Sequence, residues 1–143
     1  MAKQIYWEDV QEGTAVTPLP KNATTQQLVR WAGASGDFYQ IHYDKDFALG
    51  NALPGVIIHG ALKSAWLGQL VGDWVGDEGR IKSYGCSYRG MDVPGEDLVC
   101  KGVVTKKYVE GDEHIVECDI WLEKASGEKT TPGTAVVVLP SKS

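Results

Sequence analysis

The sequence predicts an α+β fold in which an antiparallel β-sheet bends around one long, apolar helix. Residues 24–76 carry mainly helical patterns, whereas residues 80–139 contain four strand patterns separated by turns. The longest helix candidate, near residues 58–74, is apolar over much of its surface, which is typical of a helix enclosed on several sides. The strands of the second half are the elements available to enclose it.

The first helix is predicted from its ends. Thr24 or Thr25 can cap a helix that continues to about Gly33, because a hydroxyl oxygen accepts a hydrogen bond from the free N–H groups of the first turn. Asp44 then has the character of an N-cap for a short helical turn. The segment before this helix, about 20 residues that include 5–7, offers only a weak signal for a strand or an edge-covering segment.

The central helix is expected to begin near residues 58–60 and to run to about Trp74. Three glycines, Gly60, Gly68 and Gly72, lower its intrinsic helicity by about 1 kcal/mol each relative to Ala. Tertiary packing must therefore stabilise it. The apolar residues available for that packing are Ile58, Leu62, Ala65, Trp66, Leu67, Leu70, Val71 and Trp74.

Four strands are predicted after residue 80. Their ranges are 81–88, 98–107, 114–123 and 130–139, and a glycine-containing turn separates each strand from the next. Residues 116–122 alternate between apolar and polar, as a strand with one buried face requires. Residues 135–139 are apolar throughout, which predicts a central strand covered on both faces. Short connections favour antiparallel pairing.

Length and composition indicate one globular domain. The chain has 143 residues, of which 43% are hydrophobic and 23% charged, an ordinary soluble composition. No repeat, low-complexity run or linker divides it, so a single domain over residues 1–143 is expected. Lys and Arg total 14 against 19 Asp and Glu, a net charge of −5. An acidic chain without a basic stripe is not expected to bind nucleic acid.

The same sequence points to a cytoplasmic protein without membrane contact. No apolar run approaches the roughly 18 residues of a membrane span, and the first residues lack the apolar core of a signal peptide. The three cysteines, Cys86, Cys100 and Cys118, are an odd number without C-x-x-C spacing. We expect small buried hydrophobic residues in a reducing compartment rather than disulfides or zinc ligands.

The most informative segment is residues 35–42, which read SGDFYQIH. It sets the carboxylate of Asp37 five residues before the imidazole of His42. On one helix the two would face opposite ways, because each residue rotates by about 100°. They converge only if the chain turns, and Gly36 can end the helix in a left-handed cap. Such a pair can hold a water and remove its proton; the alternative is a loop-capping Asp and a satisfied core His.

Three ordered blocks resemble the MaoC-like, (R)-specific enoyl-CoA hydratases. Residues 31–44 resemble the family signature around a Gly-Asp pair and a following His. Residues 54–62 (PGVIIHGAL) resemble the entry into the family's central helix, and residues 94–98 (PGEDL) its Pro-Gly-Asp-x-Leu turn. Together the similarity spans roughly residues 5–139.

The resemblance implies a hotdog fold, usually paired into dimers, and an acyl thioester substrate carried by coenzyme A or acyl carrier protein. Asp37 and His42 fall on the family's two catalytic positions. Gly60 falls on the residue whose backbone N–H polarises the thioester carbonyl. Tyr39 and Gln40 stand where the family has Asn and Pro most often, which leaves loop geometry and substrate preference open.

The expected reaction is the reversible hydration of a 2-enoyl thioester to an (R)-3-hydroxyacyl thioester. It needs a base for the water and a donor for the enolate oxygen, and it needs no cofactor. Substrate contacts are expected from Tyr39, Gln40, His59 and Trp66, with His59 at the start of the central helix and Trp66 along a possible acyl tunnel. The three histidines share no metal-ligand spacing, so no metal site is predicted.

Two alternatives stay open at this point. A hotdog acyl-CoA thioesterase would usually place a carboxylate on its central helix, and residues 58–72 contain no Asp or Glu. A non-catalytic, acyl-binding subunit of a hetero-oligomeric hydratase would not need both Asp37 and His42. A homodimer is expected, because a bent sheet of this size leaves an edge strand that needs cover.

Overall fold

A five-stranded antiparallel sheet and one long helix form the body of the protein. The computed structural model describes residues 3–143. Residues 1 and 2 belong to the segment with the weak strand signal and lie outside the described residues. The strands are β1 (Ala15–Lys21), β2 (Arg80–Cys86), β3 (Leu98–Glu110), β4 (Glu113–Lys124) and β5 (Lys129–Val138), and the helices are α1 (Thr25–Ser35), α2 (Lys45–Gly50) and α3 (Gly60–Val75). The order across the sheet is β1-β3-β4-β5-β2.

The N-terminal segment supplies an edge strand, but later than residues 5–7. Those residues lead into a short 3-10 turn at Trp7–Asp9. The strand β1 follows and pairs antiparallel with β3. The Lys107 ammonium holds the turn to the sheet, because it donates to the carbonyl oxygens of Trp7 and Val10 at 2.8 and 2.9 Å. The N-terminal segment therefore contains both expected features: the strand β1 and a turn that packs on the sheet.

The predicted caps set the helix ends. The Thr24 hydroxyl accepts from the Gln27 N–H, and Gly36 follows the helix in the left-handed conformation, with φ +79°. Asp44 caps α2 by accepting from the Phe47 N–H. Because α1 stops at Ser35, the chain leaves the helix two residues before Asp37. This early stop lets residues 37–42 turn back toward α3.

The central helix α3 is enclosed as expected. It runs for 16 residues and is buried on most sides, and it contacts all five strands. Fully burying one large apolar side chain contributes about 1.5–3 kcal/mol, so the burial readily offsets the cost of three glycines. The enclosed apolar residues of α3 are Leu62, Trp66, Leu67, Leu70, Val71, Trp74 and Val75.

The sheet confirms the four predicted strands with shifts of one to three residues at their ends. Neighbours β3, β4 and β5 form consecutive hairpins, and β2 pairs with β5 at the far edge. The structure corrects the expectation that the apolar residues 135–139 are covered on both faces. The run lies inside the sheet, between β4 and β2, but Val136 and Val138 are only half-buried in the single chain. One face of this strand is therefore partly open.

The cysteines match their prediction in part. All three are free; Cys100 and Cys118 are buried and Cys86 is half-buried. Burial raises the pKa of both the Cys100 and the Cys118 thiol to about 12, which keeps them protonated and unreactive. Among residues 3–143, no helix has both the length and the apolar character that a membrane crossing needs.

The pairing of β2 with β5 predicts one position that tolerates no side chain. A Cβ added at Gly133 would collide with the carbonyl oxygen of Gly85 and lie 3.0 Å from the Cα of Cys86. The substitution Gly133→Ala should therefore lower the free energy of unfolding by about 2 kcal/mol or more, measured by urea denaturation.

The matched control is Gly85→Ala on the facing strand, where an added Cβ meets nothing within 4 Å. We expect that variant to stay within about 1 kcal/mol of the wild type, the cost of replacing a glycine in an open strand position. Equal losses for the two variants would contradict the close approach.

Candidate active site

The loop after α1 directs Asp37 toward His42. The N–H of Asp37 donates to the Ser35 hydroxyl, and the Oδ1 atom of Asp37 accepts from the Tyr39 N–H, both at 3.2 Å. The chain then enters a short 3-10 turn, Gln40–His42. Asp37 thus does organise the loop, as the structural alternative held. Its second oxygen, Oδ2, is left facing His42, and the side chain remains 46% exposed.

The imidazole of His42 is fixed by one short hydrogen bond. Its Nδ1 atom lies 2.7 Å from the carbonyl oxygen of Ile57, and His42 is only 7% exposed. A carbonyl oxygen can only accept, so Nδ1 carries the proton. In the neutral ring the other nitrogen, Nε2, therefore presents its lone pair. Nε2 is therefore the basic nitrogen of the ring.

Nε2 of His42 and Oδ2 of Asp37 are 3.8 Å apart. The distance is too long for a direct hydrogen bond, and a neutral imidazole nitrogen and a carboxylate oxygen are both acceptors. Two acceptors at this separation can both lie within hydrogen-bond distance of one water oxygen. The pair is therefore arranged to hold a water through its two protons and to take one of them.

His59 lies directly behind His42. The two rings stack with centroids 3.8 Å apart and planes 18° from parallel, and His59 is completely buried. Its Nε2 atom lies 3.2 Å from the carbonyl oxygen of Asp37 and so donates to it. Burial lowers the pKa of His59, and the neighbouring His42 lowers it further. A neutral His59 thus connects the Asp37 loop to the start of α3.

The side chains of Asp37, His42 and His59 form a cluster that histidine spacing did not reveal. One ligand atom from each lies within 4.8 Å of the others. The stacking, however, opposes shared coordination: imidazole lone pairs lie in the ring plane, and an ion between parallel rings would lie outside both planes. One nitrogen of each ring is also committed to a carbonyl oxygen. The geometry favours proton transfer over metal binding.

Gly60 and His42 line the same cavity, of about 420 Å³. Gly60 is the first residue of α3, where backbone N–H groups have no partner within the helix and the dipole favours negative charge. A Cβ at Gly60 would lie 3.1 Å from the ring of Tyr88. Glycine therefore leaves the amide accessible and lets Tyr88 pack against the backbone.

The other predicted substrate contacts fall into two groups. Tyr39 is 55% exposed and sets its ring edge against His42, with centroids 6.4 Å apart, and Gln40 is exposed beside it. His59 and Trp66 are buried, at 0% and 3% exposure. Both rings are buried in the single chain, and substrate contact by these two residues stays a prediction.

A second cavity meets the first at His42. It has a volume of about 550 Å³ and lies between α1, the loop before α3 and the turn near Pro94. Its wall is mostly apolar and includes Val29, Val56 and Val93. His42 thus forms part of the wall of both a mainly apolar cavity and the cavity of Gly60.

Sequence reasoning missed the buried ion pair beside Gly60. Lys63 and Asp92 are 2% and 0% exposed, and Nζ of Lys63 lies 3.0 Å from Oδ2 of Asp92. Within residues 58–72 Lys63 is the one charged residue, a signal that could have marked it. Two further basic residues, Arg80 and Lys82, pair with Glu113 at the surface.

Comparisons with known proteins agree on one family. Residues 9–120 match the family model described as the MaoC like domain. The chain is 40% identical over 73 residues to the fatty acid synthase beta subunit TOXC of Cochliobolus carbonum. That alignment covers 50% of this chain but only 4% of the relative, so the chain corresponds to a small part of that protein.

Solved structures share the whole fold. The (R)-hydratase of A. caviae involved in PHA biosynthesis aligns with a TM-score of 0.83 and 24% identity, over 93% of this chain and 99% of its own. The R-hydratase PhaJ1 of Pseudomonas aeruginosa aligns with a TM-score of 0.87 and 18% identity, over 97% and 88%. At these identities the likeness shows the fold.

The neutral state of His59 predicts a pH-dependent stability. The lowered pKa means that the unfolded chain takes up a proton near pH 6.5 that the folded protein resists. Stability should therefore fall as the pH drops from about 7.5 to about 5.5. In His59→Gln, which keeps a donor for the Asp37 carbonyl, this fall should be smaller, as measured by urea unfolding at both pH values.

The control is His114→Gln, which changes a half-buried histidine that packs against Trp7. It should keep the pH dependence of the wild type. If His59→Gln loses as much stability on acidification as the wild type does, His59 is not the group that resists the proton.

Proposed function

Because this chain belongs to the MaoC-like domain family, we propose that it catalyses the reversible addition of water to 2-enoyl thioesters, giving (R)-3-hydroxyacyl thioesters. The substrate would be a fatty acyl thioester of coenzyme A or acyl carrier protein, in line with the fatty acid synthase relative. The whole chain would act as one hotdog domain, since all five strands, β1 to β5 in chain order, belong to one sheet.

The single observation that carries the proposal is the fixed tautomer of His42. Its Nδ1 proton is donated to Ile57 at 2.7 Å, and its free Nε2 faces the carboxylate of Asp37 at 3.8 Å. This arrangement supports a water held between the two side chains. With Nε2 free to accept, the ring can take a proton from that water and later return it.

The reaction then needs three events. His42 takes one proton from the water while Asp37 accepts a hydrogen bond from the other, and the oxygen adds to C3 of the enoyl group. The π electrons move toward the thioester oxygen, which gains negative charge as an enolate. The Gly60 N–H at the start of α3 would stabilise that charge, and the proton held by the dyad is delivered to C2. One water is consumed and no other group is released.

The two cavities at His42 support a division of the substrate. A thioester whose carbonyl reached Gly60 would bring C2 and C3 toward His42, which the first cavity also contains. The mainly apolar second cavity then offers room for part of an acyl chain. The exposed ring of Tyr88 lines the first cavity.

The test is an assay on a panel of enoyl thioesters. Purified protein is incubated with crotonyl-CoA and with longer and branched 2-enoyl-CoAs. Loss of the enoyl absorbance without thiol release supports hydration, whereas thiol release identifies a thioesterase. No reaction with any member indicates a non-catalytic acyl-binding subunit. Chiral analysis of the product checks the (R) configuration.

The same assay tests the residues. His42→Ala and Asp37→Asn should each lower turnover at least about 100-fold, as expected for the loss of a general acid–base group. Both variants should stay folded, as shown by a cooperative thermal unfolding transition. Asp46→Asn and His114→Ala are the controls, because Asp46 is exposed on α2 and His114 lies on β4. Near-wild-type turnover in either dyad variant would remove that residue from the mechanism.

We also propose a homodimer joined through β2. This strand is one of the two edges of the sheet, and most of its residues are exposed. Exposed edges offer unpaired N–H and C=O groups to a second strand. One chain has a mass of 15.6 kDa, and sedimentation at micromolar concentration should therefore give twice that mass. A monomer across this range would argue against the dimer.

A further inference from the structure

The Lys63–Asp92 pair lies at the back of the cavity that contains Gly60. The Lys63 ammonium donates to Asp92 Oδ2 and to the carbonyl oxygen of Gly90, both at 3.0 Å. Thr130, fully buried, donates its hydroxyl to the same Oδ2 at 2.7 Å. The other oxygen of the Asp92 carboxylate has no hydrogen-bond partner among the described residues. The pair is thus part of a buried hydrogen-bond network.

Folding alone gives little reason for such a pair. Removing two charges from water costs several kcal/mol for each ion, and apolar residues of the same size often stabilise a protein equally well or better. The helix adds to the cost, because Lys63 lies in the first turns of α3, where the macrodipole disfavours a positive charge. Desolvation and the helix dipole thus both disfavour an ion pair at this position, which lies beside the candidate site.

Lys63 is the member of the pair that lines the cavity. Residues three apart on a helix lie on one face, so Lys63 follows Gly60 along the same side of α3. Both contribute to the wall of the cavity that His42 also lines. The carboxylate of Asp92 has no exposed surface. A negative oxygen at the Gly60 amide would therefore lie closer to the positive end than to the negative end.

The same pair holds the backbone around Gly60. The carbonyl oxygen of Asp92 accepts from the Ile58 N–H at 2.8 Å, two residues before the helix begins. The Lys63 bond to Gly90 secures the segment that follows β2, and in that segment the Tyr88 ring packs on Gly60. Fixing these two segments fixes the direction of the Gly60 N–H.

We propose that Lys63, held by Asp92, is a positioning residue that stabilises the enolate oxygen of the substrate by placing a buried positive charge behind the Gly60 amide. This inference rests on the proposed hydratase function. It adds to that function a residue that acts through the amide and through its electric field, and that does not touch the reacting carbons.

The test uses a variant that removes both charges and keeps the volume, Lys63→Met/Asp92→Asn. Two readouts separate the field from the fold. The first is the split between kcat and KM for crotonyl-CoA. The second is the absorbance of bound acetoacetyl-CoA, a 3-oxoacyl thioester whose enolate forms a distinct ultraviolet band without any turnover.

We expect kcat to fall about 10-fold or more, with KM within about 3-fold, because a charge that acts on the developing oxyanion contributes mainly in the transition state. The enolate band of bound acetoacetyl-CoA should weaken in parallel. Lys101→Met/Glu123→Gln is the matched control: it removes both charges of an ion pair between β3 and β4 that forms no part of the cavity wall, so both readouts should stay near the wild type.

Four outcomes would overturn the proposal. They are an unchanged kcat in the neutral variant, an unchanged enolate band, equal losses in Lys101→Met/Glu123→Gln, and a wild-type protein that gives no enolate band with acetoacetyl-CoA. If the neutral variant does not fold, Lys63→Met/Asp92→Leu carries the same expectations. Wild-type protein that forms the enolate band but hydrates no enoyl thioester would reject the proposed function and leave the role of Lys63 standing.

Discussion

The hydrogen bond from His42 Nδ1 to the Ile57 carbonyl is the interaction on which the candidate site depends. It joins the loop after α1 to the segment that leads into α3, at 2.7 Å. It also decides which nitrogen of the ring is basic. Without it the imidazole could turn or exchange tautomers, and the 3.8 Å gap between Nε2 and Asp37 would have no defined chemistry. The backbone N–H of Ile57 in turn donates to the Ile41 carbonyl at 3.0 Å, so two bonds hold the segments together.

Local sequence was sufficient for the parts of this arrangement that depend on local chemistry. A hydroxyl at Thr24 starts α1, a left-handed Gly36 ends it, and a carboxylate at Asp44 starts α2. These residues act on backbone groups within a few positions of themselves, which is why their type and spacing predict the turn that brings Asp37 toward His42. The enclosed helix and the four later strands were predictable for a similar reason, since apolar periodicity reflects which face is buried.

Long-range polar partners could not be predicted in the same way. Periodicity identified His59 and Lys63 as residues at the start of a buried helix, but it carries no information about the atoms that lie opposite them. His59 meets the carbonyl of Asp37, and Lys63 meets Asp92 from the segment after β2. Both contacts depend on how the sheet curves around α3. Substrate contact by His59 and Trp66 stays a prediction, because an apolar helix face serves a core and a ligand tunnel equally well and both residues are buried.

The two halves of the candidate site differ in their access to water, and their proposed tasks call for that difference. Asp37 is 46% exposed on its side chain and Lys63 only 3%. A carboxylate that must receive a water and exchange protons benefits from contact with solvent. A charge that must act on a developing oxyanion is stronger where water is excluded, because the effective dielectric constant there is lower. His59 stands between the two halves, and because its pKa is lowered it adds no positive charge next to His42. In the proposed mechanism, a proton that His42 took from the water would therefore meet no repulsion from a charged ring behind it.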